Sequence, residues 1–403
     1  MRMPLPKDLL LINLAGFLRS LGVGLTGVVL GVYLFRVGLS SSGIGLVIGT
    51  GLAGTAAATL VASLRADRFG RRRTLVILSL LGTIGGLGLA LSSGLPALLA
   101  VAFLGMLNGM GTDRSASFAL EQAIIPGLVP DARRTWSLAG YNIVLDAGGS
   151  LGALGAALPL LLHRRLHVSL LSSYAAVFVG YASLGLVIAA LYSLLSSSVE
   201  VVPSRTTDPP ISAETKKNVS RLARLFSLDA FGGGLLSDAL VAYWFFLRFG
   251  VSEENLGILF FGVRLLNAVS HLGAAWLARR IGLVNTMVFT HLPSSLFLIA
   301  VPLAPSFKLA VLLLLCREVL VEMDVPTRQS YVAAIVQQSE RTFASGVTSL
   351  ARNLFWAIGS SVAGFCMQNV ALSAPLMIGG GAKISYDLLL YRAFRKLRPP
   401  EES

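Results

Sequence analysis

Charge is scarce in this chain, and acidic charge scarcest. Of 403 residues only 13% are charged, 20 being Asp or Glu against 33 Lys or Arg, while 54% are hydrophobic and the mean hydropathy is +0.74. A water-soluble fold carries about 25% charged residues, so composition excludes a soluble globular chain. Cysteine is limited to Cys316 and Cys366, both in apolar runs, which excludes a disulfide or zinc framework and leaves them as small core residues. Only four histidines are present, with no His-Glu-x-x-His, Cys-x-x-Cys or phosphate-loop pattern. A membrane enzyme needs such a convergent set, so no enzyme, no metal and no cofactor is expected, ATP included. A soluble domain, which a non-transporting sensor would append, is also missing from these residues.

What remains is apolar and glycine-rich, with 42 Gly. A membrane span needs about 20 mainly apolar residues. Dividing the chain at its charged or Pro/Gly-rich breaks gives twelve such stretches, so an all-α integral membrane fold is predicted. The first six run roughly over 8–35, 42–64, 74–92, 96–124, 136–161 and 169–194, and the second six over 221–247, 255–277, 283–303, 308–335, 343–367 and 372–392. The first stretch is too long for a cleavable signal and has no small-residue cleavage site behind it, so it is expected to stay in the mature protein.

The two sets of six are copies. Asp67-Arg68-Phe69-Gly70-Arg71-Arg72-Arg73 lies between the second and third stretches, and Arg279-Arg280-Ile281-Gly282 occupies the equivalent place 212 residues later. At the same offset Arg36 meets Arg248, Gly38 meets Gly250, Ser40 meets Ser252 and Gly45 meets Gly257. Further on the offset falls to 207, matching Arg134-Thr135 with Arg341-Thr342, Gln122 with Gln329 and Gly152 with Gly359. Element order is the same in both, which makes the repeat parallel. The predicted domains are residues 1–194, a polar linker over 195–220, and residues 221–403 with a basic tail.

A net charge of +13 invites a nucleic-acid reading, but its distribution opposes it. Arg2, Lys7, the Arg65 to Arg73 cluster, Arg133, Arg134, Arg205, Lys216, Lys217, Arg221, Arg279, Arg280, Arg341 and the basic tail over 392–398 fall on one side of the alternating connections. The other side holds Arg36, Arg164, Arg165, Arg248 and Lys308. Basic loops stay cytoplasmic, so both termini are predicted there, in a multi-pass protein of the plasma membrane whose partner is the bilayer and not nucleic acid. The Arg164-Arg165 pair is the main exception, and only headgroup contact accounts for it.

The stretch from Ser63 through Leu75 resembles the loop 2-3 signature of the major facilitator superfamily, Gly-x-Leu-x-Asp-Arg-x-Gly-Arg-Arg/Lys-x-x-Leu. Its core matches at Asp67, Arg68, Gly70, Arg71 and Arg72, with Ser63 in place of the leading Gly and Arg65 in place of the first Leu. The resemblance extends over the twelve spans, the repeat and the central linker. It implies two pseudo-symmetric six-helix bundles, a small-molecule substrate carried by alternating access, and function as a monomer. It also implies a cytoplasmic gate at Asp67, Arg68, Gly70, Arg71 and Arg72 that latches the outward-open state; the second-half copy carries Arg279 where the first has Asp67. Topology signalling by the arginines is the plainer alternative.

Charges inside spans cost roughly 2.5 to 3.5 kcal/mol each at mid-helix, so they should face a bundle interior or an aqueous cavity. The candidates for a substrate or proton pathway are Arg19, Asn108, Asp113, Arg114, Asn142, Asp146, Asp238, Arg264, Asn267, Glu318, Glu322, Arg352 and Asn353. Arg264, Asn267 and His271 lie within about 60° on one helix face. In span 10, Arg317, Asp324 and Arg328 fall within about 40°, with Glu318, Glu322 and Gln329 on a stripe about 120° away. Asn142 and Asp146 share a face, and Asp146 maps onto Asn353 through the repeat. Asp113, Asp146, Glu318 and Glu322 can exchange a proton with the pathway, or can pair with neighbouring cations simply to permit burial. Spans 3, 6 and 9 carry no such groups apart from His291, which fits the resemblance because the third helix of each triplet lies outside. Gly148, Gly149, Gly152 and Gly155 read as close helix packing. The expected function is proton-driven efflux of a small organic or amphiphilic compound, with uptake or facilitated diffusion of a polar metabolite as the alternative.

Overall fold

A backbone in hydrocarbon must satisfy its own N–H and C=O groups, and apolar runs of this length do so as helices. The computed structural model describes residues 6–130, 133–200, 211–325, 327–328, 331 and 340–394, and no strand occurs among them. The first copy gives α1 (Lys7–Arg36), α2 (Ser41–Phe69), α3 (Arg71–Leu91), α4 (Leu95–Gly105), α5 (Ala116–Ile124), α6 (Arg134–Leu154), α7 (Leu158–Leu166) and α8 (Leu170–Ser193). The second gives α9 (Ala213–Gly234), α10 (Asp238–Phe249), α11 (Glu253–Ile281), α12 (Leu283–Ala300), α13 (Phe307–Val321), α14 (Arg341–Asn369) and α15 (Ala374–Phe394).

Among the described residues four expected spans are broken, one of them span 10, whose helix α13 stops at Val321 before a turn at Glu322 and Met323. Span 4 is α4 and α5 with irregular chain between them, where Met106 takes a left-handed φ of 52° and Gly111 one of 72°. Span 5 passes through a single 3₁₀ turn at Gly155–Ala157 before Pro159, whose ring removes a helix donor. Span 7 stops at Gly234, behind three consecutive glycines, and resumes at Asp238. The expected linker is shorter than 195–220, because α9 starts at Ala213 with Ser212 accepting from the Thr215 N–H as its cap. Part of the expected linker, 201–210, lies outside the described residues.

Seven described helical stretches are long and apolar enough to cross a membrane. The other expected spans are the interrupted ones, 4 and 10, and those formed by α11, α14 and α15, which bury polar side chains such as Arg264, Asn353, Lys383 and Asp387.

Contacts divide the chain into two compact units, the first comprising residues up to 204 with Ser237–Phe261, the second Arg205–Leu236 with residues from 262 on. The segment Ser237–Phe261 therefore groups with the first copy and not, as the linear repeat suggests, with the second. Its bonds explain this: the Ala239 N–H donates to the Gly109 carbonyl at 3.0 Å, Arg36 donates to Glu253 Oε1 at 2.6 Å, and the Tyr174 hydroxyl donates to the same oxygen at 2.5 Å.

Within the first unit α6 lies along α1 and α8 along α3; within the second α14 lies along α9 and α15 along α12. Both units thus pair their first helix with their fifth and their third with their sixth, which is the sequence repeat expressed as packing. The repeated loops agree too. Gly70 (φ 108°) and Gly282 (φ 86°) both adopt positive φ between consecutive helices, a conformation that a Cβ would strain.

The α1/α6 contact depends on glycine. Gly152 sits against the Leu21 carbonyl and Gly24 against that of Gly149, where any Cβ would overlap backbone. Gly152→Val is expected to lower stability by about 1 to 3 kcal/mol through overpacking. Gly180→Val, where an added Cβ meets nothing within 4 Å, should leave it unchanged. Thermal unfolding of the detergent-solubilised protein checks the pair, and equal midpoints would refute the close-packing account.

Candidate functional site

The Asp67 loop is built from its own helix ends. Asp67 accepts from Arg71 Nε at 2.7 Å across one turn and is 60% exposed. Gly70 ends α2, and the N-terminus of α3 is capped from a distance: Glu200 accepts from the Arg71 N–H at 2.6 Å and the Arg72 N–H at 3.2 Å, opposite the positive end of the helix dipole. The Arg72 guanidinium donates to the Leu195 carbonyl at 3.0 Å, whereas Arg68 is exposed. Glu200 is thus a member of this loop that no pattern in the sequence announced.

The first unit centres its charge on Arg19 of α1. Its Nε donates to Asp113 at 2.6 Å, one terminal nitrogen to the Tyr192 hydroxyl at 2.5 Å, and the other to Glu121 at 2.5 Å and the Tyr141 hydroxyl at 3.1 Å. Tyr141 and Tyr192 in turn donate to Glu121, which is fully buried. A five-donor cation suits this role because it can serve four acceptors at once.

Beside this cluster runs the unwound part of span 4, and its carbonyls are taken up by side chains. Thr26 donates to the Asn108 carbonyl at 2.9 Å and Thr55 to that of Met106 at 3.4 Å. The Asn108 amide bridges its own loop, donating to the Thr112 carbonyl and accepting from the Met110 N–H, each at 2.8 Å. Non-helical backbone at membrane depth persists only when paired in this way or lining a cavity. Here both hold: a cavity opens within the unit, lined by Arg19, Gly22, Gly82, Asn108, Ser117 and Tyr181 among largely apolar neighbours.

The second unit centres on Asp229 of α9. Its Oδ1 accepts from Lys383 Nζ at 2.8 Å; its Oδ2 accepts from Arg352 at 2.8 Å and Arg328 at 3.5 Å. Arg328 also binds Asp324 at 2.5 Å, the pairing expected of residues one turn apart. His291 on α12 places Nδ1 at 2.9 Å from Asp387 and Nε2 at 3.5 Å from Lys383. A separate group forms at Glu318, which accepts from Arg317 and, in the amide orientation that satisfies both groups, from Asn267 at 2.8 Å.

Of the predicted pathway residues, Arg19 with Asp113 and Asn267 with Glu318 are brought together, and Arg352 joins a partner that was not among the candidates. Arg264 and Asn353 are buried, Glu322 and Asp146 half-buried. Asn142 is exposed, Arg114 stacks over the Phe118 ring at 5.4 Å, and Asp238 occupies the first turn of α10. The side chain of His271, and Gln329, lie outside the described residues. Glu121, Asp229, Lys383, His291 and Asp387 were missed as site residues. Lys383 and Asp387 carried a signal, two charges four apart inside an apolar run.

Comparison with known proteins agrees with this architecture. The chain is 27% identical over 417 residues to an uncharacterized membrane protein of Saccharomyces cerevisiae, YJR124C, covering 95% of this chain and 93% of that one. Among solved structures it is similar to a bacterial homolog of the human lysosomal transporter Spinster (TM-score 0.69, 17% identity, 96% and 94% of the two chains) and to a D-xylose-proton symporter (TM-score 0.74, 15% identity, 96% and 97%). These likenesses establish the fold, a multi-pass helical membrane protein. Since the Major Facilitator Superfamily family model matches residues 12–359, nearly the whole chain, the protein belongs to that superfamily of transporters.

Proposed function

We propose that the protein is a proton-linked exporter of small organic or amphiphilic compounds that works by alternating access. The observation that carries this reading is the Asp229 cluster, in which a buried carboxylate is shared by Lys383, Arg352 and Arg328 next to a His291–Asp387 pair. Groups of this kind are costly in a membrane and mark ion or proton routes there. The largely apolar cavity beside Arg19, with a few hydrogen-bonding side chains, supports an amphiphilic cargo. The driving force in this reading is a proton gradient, with the chain acting as a monomer in the plasma membrane and both termini cytoplasmic. The gate is the loop of Asp67, Arg68, Gly70, Arg71 and Arg72, which exchanges its contacts during the cycle.

Flux into inverted vesicles, across a panel of organic compounds chosen by thermal stabilisation of the protein, tests the reading. Accumulation driven by an imposed pH gradient, acidic inside, is expected, at least about tenfold above a gradient-free control. Equilibration that ignores the gradient would refute proton linkage. It would favour the second reading, uptake or facilitated diffusion of a polar metabolite, in its gradient-independent form; that reading draws on a structural neighbour described as a nucleoside transporter.

A further inference from the structure

The His291 ring is held from both sides, and the two contacts fix its tautomer. Nδ1 lies 2.9 and 3.0 Å from the two oxygens of Asp387, which can only accept, so Nδ1 carries the ring hydrogen. Nε2 of the neutral ring is then a bare acceptor, and the ammonium of Lys383, a pure donor, sits 3.5 Å from it. The same Lys383 donates to Asp229 Oδ1 at 2.8 Å, and His291 Nε2 lies 3.8 Å from that oxygen. Two nitrogens thus converge on one carboxylate oxygen, and only Lys383 has a hydrogen to offer it.

Adding a proton to the Nε2 lone pair reverses this. The ring then carries a hydrogen on each nitrogen, keeps Asp387 through Nδ1, and points a charged donor at Asp229 Oδ1. Lys383 loses an acceptor in Nε2, gains a like charge beside it, and meets a competitor for Oδ1. It has a second carboxylate available, because Asp387 lies four residues further along α15, one turn of the same helix. No covalent bond other than the N–H changes.

We propose that His291 is a proton-operated donor that takes Asp229 Oδ1 from Lys383, making the spans of α12 and α15 the coupling site of the second unit. As a coupling step this rests on the proton-linked reading above. The groups facing the exchange are Asp229 on α9, Asp324 and Arg328 on span 10, Arg352 on α14, and Lys383, Tyr386 and Asp387 on α15. Their formal charges are three cations against three carboxylates, so an unprotonated ring leaves the cluster neutral and the incoming proton makes it +1. Arg352 and Arg328 hold the other oxygen, Oδ2, throughout. The swap therefore removes the ion pair between α15 and α9 while the one between α14 and α9 stays. Tyr386 packs beside His291 with the two rings nearly perpendicular and their centroids 6.0 Å apart.

Infrared difference spectra between pH 5 and pH 8 of the full chain, labelled at histidine and reconstituted in lipid, read imidazolium directly and contain no transported solute. They therefore succeed or fail independently of the flux assay. An imidazolium band present in the wild type and reduced in His291→Gln is expected. At a fixed intermediate pH, Lys383→Met should strengthen the His291 band about threefold by removing the competing cation, and Asp387→Asn should weaken it by a similar factor. Lys383→Arg, which keeps a competitor, should stay near the wild-type level and covers the case in which the methionine variant does not fold. A His291→Gln spectrum that superimposes on the wild type overturns the proposal, as does a band indifferent to Lys383→Met in folded protein. A wild type with gradient-independent flux removes the proton-linked reading, while the spectra still decide whether the bond exchange occurs.

Discussion

Asp229→Ala is expected to cost about 3 to 5 kcal/mol of stability and to abolish transport, the largest effect of any single substitution in the second unit. Removing this carboxylate leaves Lys383, Arg352 and Arg328 in a buried setting with one of their shared anions gone. The penalty comes from uncompensated charge more than from lost contacts, which makes it separable. Asp229→Ala combined with Lys383→Met deletes one charge of each sign and leaves Arg328 and Arg352 with Asp324 and Asp387. The double variant should recover at least half of the loss in thermal stability while remaining inactive. If the two substitutions simply add, the cluster is not coupled through Asp229 and the second unit has been misread.

In the first unit the largest effect is expected at Arg19, where even a conservative change should fail. Arg19→Lys keeps the charge, yet an ammonium has three donors and no plane, and cannot meet Asp113, Glu121, Tyr141 and Tyr192 together. Losing one or two charge-assisted hydrogen bonds costs about 3 kcal/mol. Arg19→Met strands two carboxylates and should cost more, with part regained when Glu121→Gln is added. Unfolding midpoints of the three variants and the wild type give the ranking. Wild-type stability in Arg19→Lys would show that charge alone, and not the fork of donors, holds α1 to the Asp113 loop.

The fold was legible because its signals are additive along the chain. Apolar length, basic loops and a 212-residue echo each repeat several times, and Gly70 and Gly282 then adopt the same positive φ. The breaks within spans were not legible, because they depend on side chains remote in sequence. Nothing near Asn108 announces that Thr26 and Thr55 will take the carbonyls its helix gives up. The Ser237–Phe261 segment failed to follow the linear halves for the same reason, since Glu253 is claimed by Arg36 and Tyr174.

The site was half legible. Arg19, Asp113, Asn267, Glu318 and Arg352 stood out as polar groups in apolar runs, but their partners did not follow from helical periodicity, which orders residues on one helix only. Glu121 and Asp229 are carboxylates in apolar runs as Asp146 is, and the sequence does not rank them without the cations that reach them. Lys383 and Asp387 lie in the twelfth span, the third helix of its triplet, where the resemblance places no pathway group. His291, the lone polar exception expected in a peripheral span, turned out to be the group that links α12 to α15.

The interruption of span 4 bears on how the chain enters a membrane in the first place. Its leading piece, Leu95–Gly105, has 11 residues, too few to stop in the bilayer by itself. Among the described residues the Gly109 carbonyl that follows takes its hydrogen bond from Ala239, some 130 residues later in synthesis. A nascent chain that ends before that point therefore holds a fourth span whose polar backbone is incompletely sealed. Biogenesis of the first unit is finished by the second copy's opening segment, so the N-terminal half expressed alone is a different object from the same residues in the whole protein.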